Sequence, residues 1–191
     1  GLGAGNVPEV ARVAAEETID EMREALSGAK MVFITAGLGG GTGTGATPVV
    51  ARTAKEMGIL TVAIVTIPFL WEGRQKILKA LKSISEIKKN VDALLIINNE
   101  RLLDIYKELD VFSAFSYADD VLGNAAKGIS EIVTIIGEIN VDFADVDTTM
   151  RDGGVAIMNV GYASGESRVT KAIENALDSP LLNNNDIRSA K

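Results

Sequence analysis

The chain has 191 residues, a formal charge of −7, 47% hydrophobic residues, and neither Cys nor His. This length allows one ordinary domain, or one domain and part of another. The acidic balance argues against a nucleic-acid surface, which needs clustered Lys and Arg. No apolar run is long enough to span a membrane. Without Cys and His there are no disulfides, thiolate or imidazole metal ligands, or Ser-His triads, so chemistry depends on carboxylates, hydroxyls, backbone dipoles and a few cations.

The first half of the chain alternates predicted helices and strands. Apolar residues at helical spacing begin after Asn6, a potential N-cap, and stop at Gly28. Short apolar runs predict buried strands at 31–36, 60–65 and 92–97. Helices are expected between them, at 44–57 and at 71–90, the second with its inward face formed by Ile77, Leu81, Ile84 and Ile87. This alternation predicts an α/β fold, a Rossmann-like parallel sheet with helices on both faces.

The second half of the chain does not continue this regular alternation of predicted strands and helices. One long helix is predicted from 113 to about 136, and its widely spread apolar residues indicate burial on more than one side. A strand at 155–160, a helix at 166–177 and a polar tail at 182–191 follow. The last stretch is typical of the beginning of a further domain.

A glycine-rich loop, Gly37-Leu-Gly-Gly-Gly-Thr-Gly-Thr-Gly-Ala46, joins a predicted strand to a predicted helix. Glycines let backbone N–H groups turn inward, and the helix N-terminus favours an anion. The hydroxyls of Thr42 and Thr44 can donate to phosphate oxygens. A tight turn needs only one or two glycines, so the glycine content favours phosphate binding.

The type of phosphate ligand is less constrained. There is no Gly-Lys-Ser/Thr, so the loop is not a Walker-type P-loop. Gly41, Gly43 and Ala46 fit the dinucleotide pattern, but the next strand ends without the carboxylate expected for the ribose, which leaves an NAD-binding Rossmann protein as a minor alternative. A second glycine segment, Gly1-Leu-Gly-Ala-Gly5, is either a flexible terminus or another wall of the same cavity.

Other polar residues admit two interpretations each. Asp142 and Asp145, within Asn140-Val-Asp-Phe-Ala-Asp145, share a face and either orient a water or cation, or cap a short helix. Chemistry alone favours a solvated charged face for Glu72 and Lys76, and a cap for Asn99. A carboxylate in an apolar helix needs a partner, and for Asp119 the N–H donors of a guanine would serve.

Taken together, these segments resemble the tubulin/FtsZ family, in its bacterial FtsZ branch. Gly39-Gly-Gly-Thr-Gly-Thr-Gly45 is similar to the family signature. The sequence also resembles successive loops of the family, in order, at residues 1–5, 68–74, 99–103, 114–119 and 140–145. Ser179-Pro-Leu-Leu182 resembles the start of the family's C-terminal domain.

The resemblance implies a GTPase that polymerises head to tail into the filament of the bacterial division ring. It implies a GTP or GDP site, with Mg²⁺ held through phosphates and water and no metal site in the protein itself. The implied GTP-binding residues are Gly3, Ala4, Gly5, Gly39, Gly40, Gly41, Thr42, Gly43, Thr44, Gly45, Glu72, Lys76, Asn99, Phe115 and Asp119.

The resemblance also implies roles for these residues. The glycine loop would hold the phosphates, with residues 3–5 facing the γ-phosphate, Glu72 at the ribose and Lys76, where the family commonly has Arg, near the phosphates. Asn99 and Asp119 would hold the guanine, and Phe115 would stack on it. Catalysis would depend on Asp142, Asp145 and Asn140, the two carboxylates reaching the nucleotide of the next subunit and polarising the attacking water.

The family's N-terminal strand–loop–helix and most of its C-terminal domain have no counterpart in the sequence, so we expect an internal fragment. Its expected parts are a partial GTP-binding domain at 1–112, a central helix at 113–138, and a catalytic loop with the start of an α+β domain at 139–191. The implied partners are other copies of the protein in protofilaments, membrane tethers and division proteins. The implied location is the cytoplasm at the division septum. Neither nucleic-acid binding nor direct membrane insertion is expected. A folded fragment that binds no nucleotide by itself is the alternative.

Overall fold

The computed structural model describes residues 3–105, 110–135, 141–156, 161 and 163–177. In chain order the elements are α1 (Pro8–Glu17), α2 (Ile19–Ala25), β1 (Met31–Gly37), α3 (Thr42–Glu56), β2 (Leu60–Ile67), a 3-10 turn (Leu70–Glu72), α4 (Arg74–Ile87), β3 (Ala93–Asn98), α5 (Glu100–Ile105), α6 (Val111–Thr134), α7 (Phe143–Met150), β4 (Gly154–Val155) and α8 (Arg168–Leu177).

The four strands form one sheet in the order β1-β2-β3-β4, and every pair is parallel. The register places Gly37 opposite Thr66, and Ile67 opposite Asn98. The carboxyl ends of β1, β2 and β3 therefore lie at one edge. β2 is buried along almost its whole length, as expected for a central strand covered on both faces.

Two hydrophobic clusters cover the two faces of the sheet. On one face, α3 and α4 pack on the strands through residues that include Ala51, Ala80 and Ile87. On the other face, α6 and α7 contribute Leu122, Ile129 and Val146. A smaller cluster at the carboxyl edge contains Phe69, Leu102, Ala114 and Ala118. The predicted α/β fold with helices on both faces is confirmed.

The first predicted helix was wrong in two details. Thr18 breaks it into α1 and α2, with its hydroxyl bonded back to the carbonyl oxygen of Ala14. The N-cap of α1 is Val7, without a side-chain bond, whereas Asn6 has a φ of 61° and does not cap the helix. Gly28 follows α2 at a φ of 81°, in agreement with its predicted role as a terminator.

The predicted helix at 71–90 is also shorter than expected. Gly73, at a φ of 98°, separates the 3-10 turn from α4, which ends at Ile87. The buried residues of α4 are Ala80, Ser83 and Ile87, and the predicted inward position of Leu81 was wrong because 47% of this residue is exposed.

Toward the end of the chain, α6 and α8 confirm the predicted helices, α7 is the short helix that the capping interpretation of Asp142 and Asp145 required, and α5 was not predicted. α5 is too short for apolar periodicity to be recognised. Of the strand predicted at 155–160, β4 contains the first residue, and 157–160 lie outside the described residues, as does the tail at 182–191. Within the described ranges, no helix has the length and apolar character needed to cross a membrane.

Candidate functional site

The loops that follow β1, β2 and β3 meet at the carboxyl edge of the sheet. They are the glycine loop after Gly37, the segment from Pro68 to Gly73, and Asn99. In open parallel sheets, ligands bind in the crevice outside the carboxyl ends of the strands. The topology therefore collects at one edge most of the residues for which nucleotide binding was predicted.

The glycine loop turns sharply between β1 and α3. Gly39 has a φ of 100°, and its N–H donates to the Oγ1 of Thr44 at 2.8 Å. Thr44 is thus used within the loop as an acceptor, while its hydroxyl proton is left available for another partner. At Gly40, a Cβ atom would meet nothing within 4 Å. Gly40 is the point of the loop with free space beside its backbone.

Three other glycines of the loop are explained by packing. A Cβ on Gly43 would lie 2.3 Å from the carbonyl oxygen of Gly37, and one on Gly45 would lie 1.9 Å from that of Pro8. A Cβ on Gly41 would lie 2.7 Å from the Cβ of Ala4. The inference that glycine content alone indicates phosphate binding was therefore too strong, because close backbone contacts of α3 require glycine at these positions.

The same contacts bring the two glycine segments together. Gly41 abuts Ala4, and the N–H of Val7 donates to the carbonyl oxygen of Ala4 at 2.9 Å. Gly5 has a φ of 56°, so this segment forms a tight turn before α1. Gly3 is the first residue described. The prediction that both segments could border one cavity agrees with this arrangement.

Glu72 and Lys76 form an ion pair beside the glycine loop. The Nζ of Lys76 lies 3.0 Å from the Oε2 of Glu72, whose Oε1 accepts the N–H of Phe69 at 3.0 Å. The backbone oxygen of Lys76 would be 3.0 Å from a Cβ on Gly39. The Glu72 side chain is only 14% exposed, so a fully solvated charged face is wrong for this residue.

Asn99 is buried, and its Oδ1 has no hydrogen-bond partner among the residues that the structure describes. The expected cap is formed by its neighbour, because the Oδ1 of Asn98 accepts the N–H of Glu100 at 3.1 Å. Buried polar side chains are nearly always partnered, and an unsatisfied one calls for an explanation such as a missing ligand. The sequence could not distinguish the two adjacent asparagines, since only the backbone geometry decides which one caps α5.

An aromatic group lies at the same edge. The buried ring of Phe69 stacks on Trp71 at a centroid distance of 4.2 Å and meets Phe115 edge-on at 5.4 Å. Phe115 is 40% exposed, and the exposed Asp119 follows it by one turn of α6. Trp71 was not predicted to belong to the site, although its position two residues after Phe69, in the segment that follows β2, was the available signal.

Asp142 and Asp145 form a reciprocal capping box at the start of α7. The Asp142 Oδ1 accepts the N–H of Asp145 at 3.0 Å, and the Asp145 Oδ2 accepts the N–H of Asp142 at 3.2 Å. The capping interpretation is therefore realised, and both side chains remain exposed. Asn140 lies outside the described residues.

The structure does not bring these carboxylates to the carboxyl edge. Asp145 borders an apolar cleft of about 310 Å³ together with Ile129 and Ile132, near the end of α6. Phe115, by contrast, lies at the beginning of α6. The helix rises 1.5 Å per residue, so the stretch from Phe115 to Ile132 is about 25 Å long. The predicted nucleotide residues and catalytic carboxylates are thus at different ends of one molecule.

Comparison with known proteins agrees with this architecture. A family model described as the tubulin/FtsZ family, GTPase domain, matches residues 1–107. A cell division protein FtsZ of Porphyromonas gingivalis is 58% identical over the whole chain, which covers 42% of that protein. A cell division protein FtsZ 1 of Thermococcus kodakarensis is 51% identical, with 51% of it covered.

A solved structure, an empty FtsZ dimer from M. jannaschii, superimposes with a TM-score of 0.91 and 47% identity over 95% of this chain and 53% of that one. The chain thus spans about half the length of the relatives it matches. The family model covers more than half of the chain, and both the whole sequence and the fold match FtsZ proteins. The chain therefore belongs to the tubulin/FtsZ family.

Proposed function

We propose that this chain carries the guanine-nucleotide site and the catalytic carboxylates of a protein that hydrolyses GTP and polymerises head to tail. The observation that carries the proposal is the buried, unpartnered Oδ1 of Asn99 at the carboxyl edge of the sheet. An acceptor without a donor in a buried position favours a ligand that brings an N–H group.

Guanine fits this requirement. Its ring N–H and exocyclic amino group are both donors, and Asn99 and Asp119 are both acceptors at the same edge. The exposed ring of Phe115, fixed edge-on by Phe69, offers a stacking surface. Adenine presents an acceptor where guanine presents its ring N–H, so the same pair of acceptors selects against it.

The phosphates are assigned to the glycine loop. Gly39, Gly40 and Gly41 precede the N-terminus of α3, which contributes free N–H groups and the positive end of the helix dipole. The hydroxyls of Thr42 and Thr44, the glycines at 43 and 45, and the segment from Gly3 to Gly5 complete the proposed contacts. Lys76, whose backbone oxygen and Cβ lie beside Gly39, is assigned to the phosphates. Glu72, held by Lys76 and the Phe69 N–H, is assigned to the ribose. Mg²⁺ would be bound through phosphate oxygens and water.

Asp142, Asp145 and Asn140 are assigned to hydrolysis in the neighbouring subunit. They are separated from the guanine residues by most of α6, so one molecule cannot place them on its own nucleotide. A head-to-tail contact puts the end that bears Asp142 on the next molecule's nucleotide edge, and such a heterologous contact continues as a filament. There the carboxylates would hold and polarise the attacking water, while positioning and electrostatics stabilise the phosphoryl transfer.

The names of the relatives support the cellular part of the proposal. Both curated relatives are called cell division proteins, and the solved structure is described as a dimer. We assign to this protein self-association into protofilaments at the cytoplasmic division site, with membrane tethers and other division proteins as partners. The NAD alternative has no support, because β2 ends at Thr66-Ile67 and is followed by Pro68, so no carboxylate lies at the strand end for a ribose.

The test uses the complete product of the gene. GTP turnover per subunit is measured across protein concentrations, with ATP in a parallel series. The proposal predicts turnover that rises steeply above a threshold concentration and is selective for GTP. Specific activity that is independent of protein concentration would contradict the shared site.

Two substitutions separate catalysis from capping. Asp142→Ala removes both the charge and the cap, whereas Asp142→Asn removes the charge but keeps a good N-cap. If Asp142 acts on water, both variants lose turnover while GTP binding persists. If Asp142 only caps α7, the Asn variant retains turnover.

The alternative, a fold that binds no nucleotide by itself, is favoured by two observations. The chain spans about half of its relatives' length, and apolar residues Val10 and Val13 are exposed on α1. Calorimetric titration of the 191-residue chain with GTP decides between the two. Heat of binding supports a site formed by the described loops, and its absence with normal folding supports a site that needs further segments.

A further inference from the structure

Asp92 is a buried carboxylate far from the glycine loop, at the amino end of β3, and its side chain is 1% exposed. Its Oδ2 accepts the N–H of Thr61 at 2.9 Å, and its Oδ1 accepts the N–H of Asp152 at 3.3 Å. The Nζ of Lys55 lies 3.5 Å from Oδ1, and Nη1 of Arg151 lies 4.0 Å from Oδ2. A buried carboxylate is stable only with such a set of partners.

These contacts fasten the turn that follows α7 to the body of the sheet. The Nζ of Lys55, on α3, also contacts the Oδ1 of Asp152 at 3.0 Å and donates to the carbonyl oxygen of Val91 at 3.2 Å. The N–H of Gly154 donates to the carbonyl oxygen of Asp92 at 2.9 Å. Lys55 and Asp92 thus connect α3 and β3 to residues 151–154.

The other end of α7 has no hydrogen bond or ion pair to the rest of the described chain, and its first residue, Phe143, is held only by apolar packing and by the Nζ of Lys30, 5.9 Å from its ring. Asp142 and Asp145 lie at this end. Each side chain accepts the backbone N–H of the other residue, and both side chains are exposed. Between the ends, Val146 is buried against the sheet. α7 has eight residues and is about 12 Å long, so a change at its C-terminal attachment moves the carboxylates at its N-terminus.

We infer that Lys55 and Asp92 are positioning residues for the proposed hydrolysis in trans, because they fix the orientation in which α7 presents Asp142 and Asp145 to the next subunit. The inference rests on the proposed function of those carboxylates. A misplacement of about 1 Å in a catalytic group can reduce turnover roughly 100-fold. Loss of one anchor can therefore lower turnover even when the protein remains folded. Neither residue touches the nucleotide edge.

The test is Lys55→Met in the complete gene product, with Lys127→Met as the matched control. Lys127 pairs with Glu131 at 3.6 Å on the exposed side of α6 and has no contact with α7 among those described. Three quantities are measured: GTP affinity, polymer mass formed with a slowly hydrolysed GTP analogue, and GTP turnover per assembled subunit. Hydrogen exchange of the α7 amides is followed in parallel.

The inference predicts that Lys55→Met lowers turnover per assembled subunit about fivefold or more, with affinity and polymer mass changed less than about twofold. Exchange of the α7 amides becomes faster, Lys55→Arg restores turnover, and the control changes none of these. Unchanged turnover would overturn the inference. A parallel loss of affinity, polymer mass and turnover would also overturn it, because it would indicate a general structural role.

A second variant guards against a simple folding failure. Asp92→Asn keeps an acceptor for the Thr61 N–H but removes the charge that faces Lys55 and Arg151. If neither variant folds, the cluster holds the fold and the inference is overturned. If wild-type protein shows no concentration-dependent GTP turnover, the proposed function fails instead. The exchange measurement still decides whether Lys55 anchors α7.

Discussion

Replacing Asn99 by Leu should stabilise the free protein and weaken its binding of GTP. The Oδ1 of Asn99 is buried without a partner in the described part of the chain, and an unsatisfied buried acceptor costs about 1–3 kcal/mol. Leu has a similar size and no polar atom, so we expect the free energy of unfolding to rise by about 1 kcal/mol. The variant also loses the acceptor for a guanine N–H, which at about 1–3 kcal/mol corresponds to roughly 5–150-fold weaker GTP binding.

The neighbouring residue provides the control. Asn98→Leu removes the acceptor for the Glu100 N–H and should lower the free energy of unfolding by about 1 kcal/mol, with little change in GTP affinity. Urea denaturation without nucleotide and calorimetric titration with GTP give both quantities for each variant. An Asn99→Leu protein that is less stable than wild type and binds GTP normally would refute the reasoning, since it would mean that Oδ1 is satisfied within the protein.

Three further outcomes follow from the described contacts. Gly45→Ala should lower the free energy of unfolding by about 3 kcal/mol or more in urea denaturation, because its Cβ would overlap the Pro8 oxygen. Gly40→Ala should fold normally but bind GTP more weakly in a calorimetric titration. Asp142→Ala should be about 1 kcal/mol less stable than Asp142→Asn in urea denaturation, since only Asn preserves the cap, and equal stabilities would contradict the capping geometry. Burial lowers the pKa of Lys55, but the hydrogen bond with Asp152 and the charge of Asp92 outweigh it, so the pKa is raised above its ordinary value. A raised pKa stabilises the fold below the ordinary lysine pKa of about 10.4, and this stabilisation is lost as the pH rises through the pKa of the folded protein. The difference in the free energy of unfolding between wild type and Lys55→Met, measured by urea denaturation, should therefore narrow as the pH rises above about 10.4, and a difference that widens there would contradict the sign.

The fold was predictable because its signals are long and regular. The strands β2 and β3 are largely buried and mainly apolar, and the helices between the strands have clear ends such as Gly58. The prediction of a buried strand was wrong for β1, which lies at the edge of the described sheet and is mostly only partly buried. Predictions were wrong where a single residue's backbone decides the outcome. Thr18 breaks the first helix and Gly73 delays the start of α4, and neither effect is visible in apolar periodicity.

The loops that meet at the carboxyl edge could be identified from the sequence, whereas the packing of their glycines could not. A Cβ on Gly43 would clash with Gly37, within the loop itself, and one on Gly45 would clash with Pro8, far away in the sequence. The cluster around Asp92 was not foreseen, because its partners lie far apart in sequence. Such long-range contacts arise only when the sheet forms.

The central claim is that a nucleotide is held by one molecule and hydrolysed with carboxylates of the next. It is tested most directly by mixing two inactive variants, Asp142→Ala and Asn99→Leu, at GTP concentrations that leave the second variant poorly occupied. In an equal, random mixture, roughly a quarter of the head-to-tail contacts join an intact nucleotide site to intact carboxylates. The account predicts GTP turnover in the mixture well above the sum of the two separate proteins. Turnover no greater than that sum, with both variants shown to co-assemble, would contradict it.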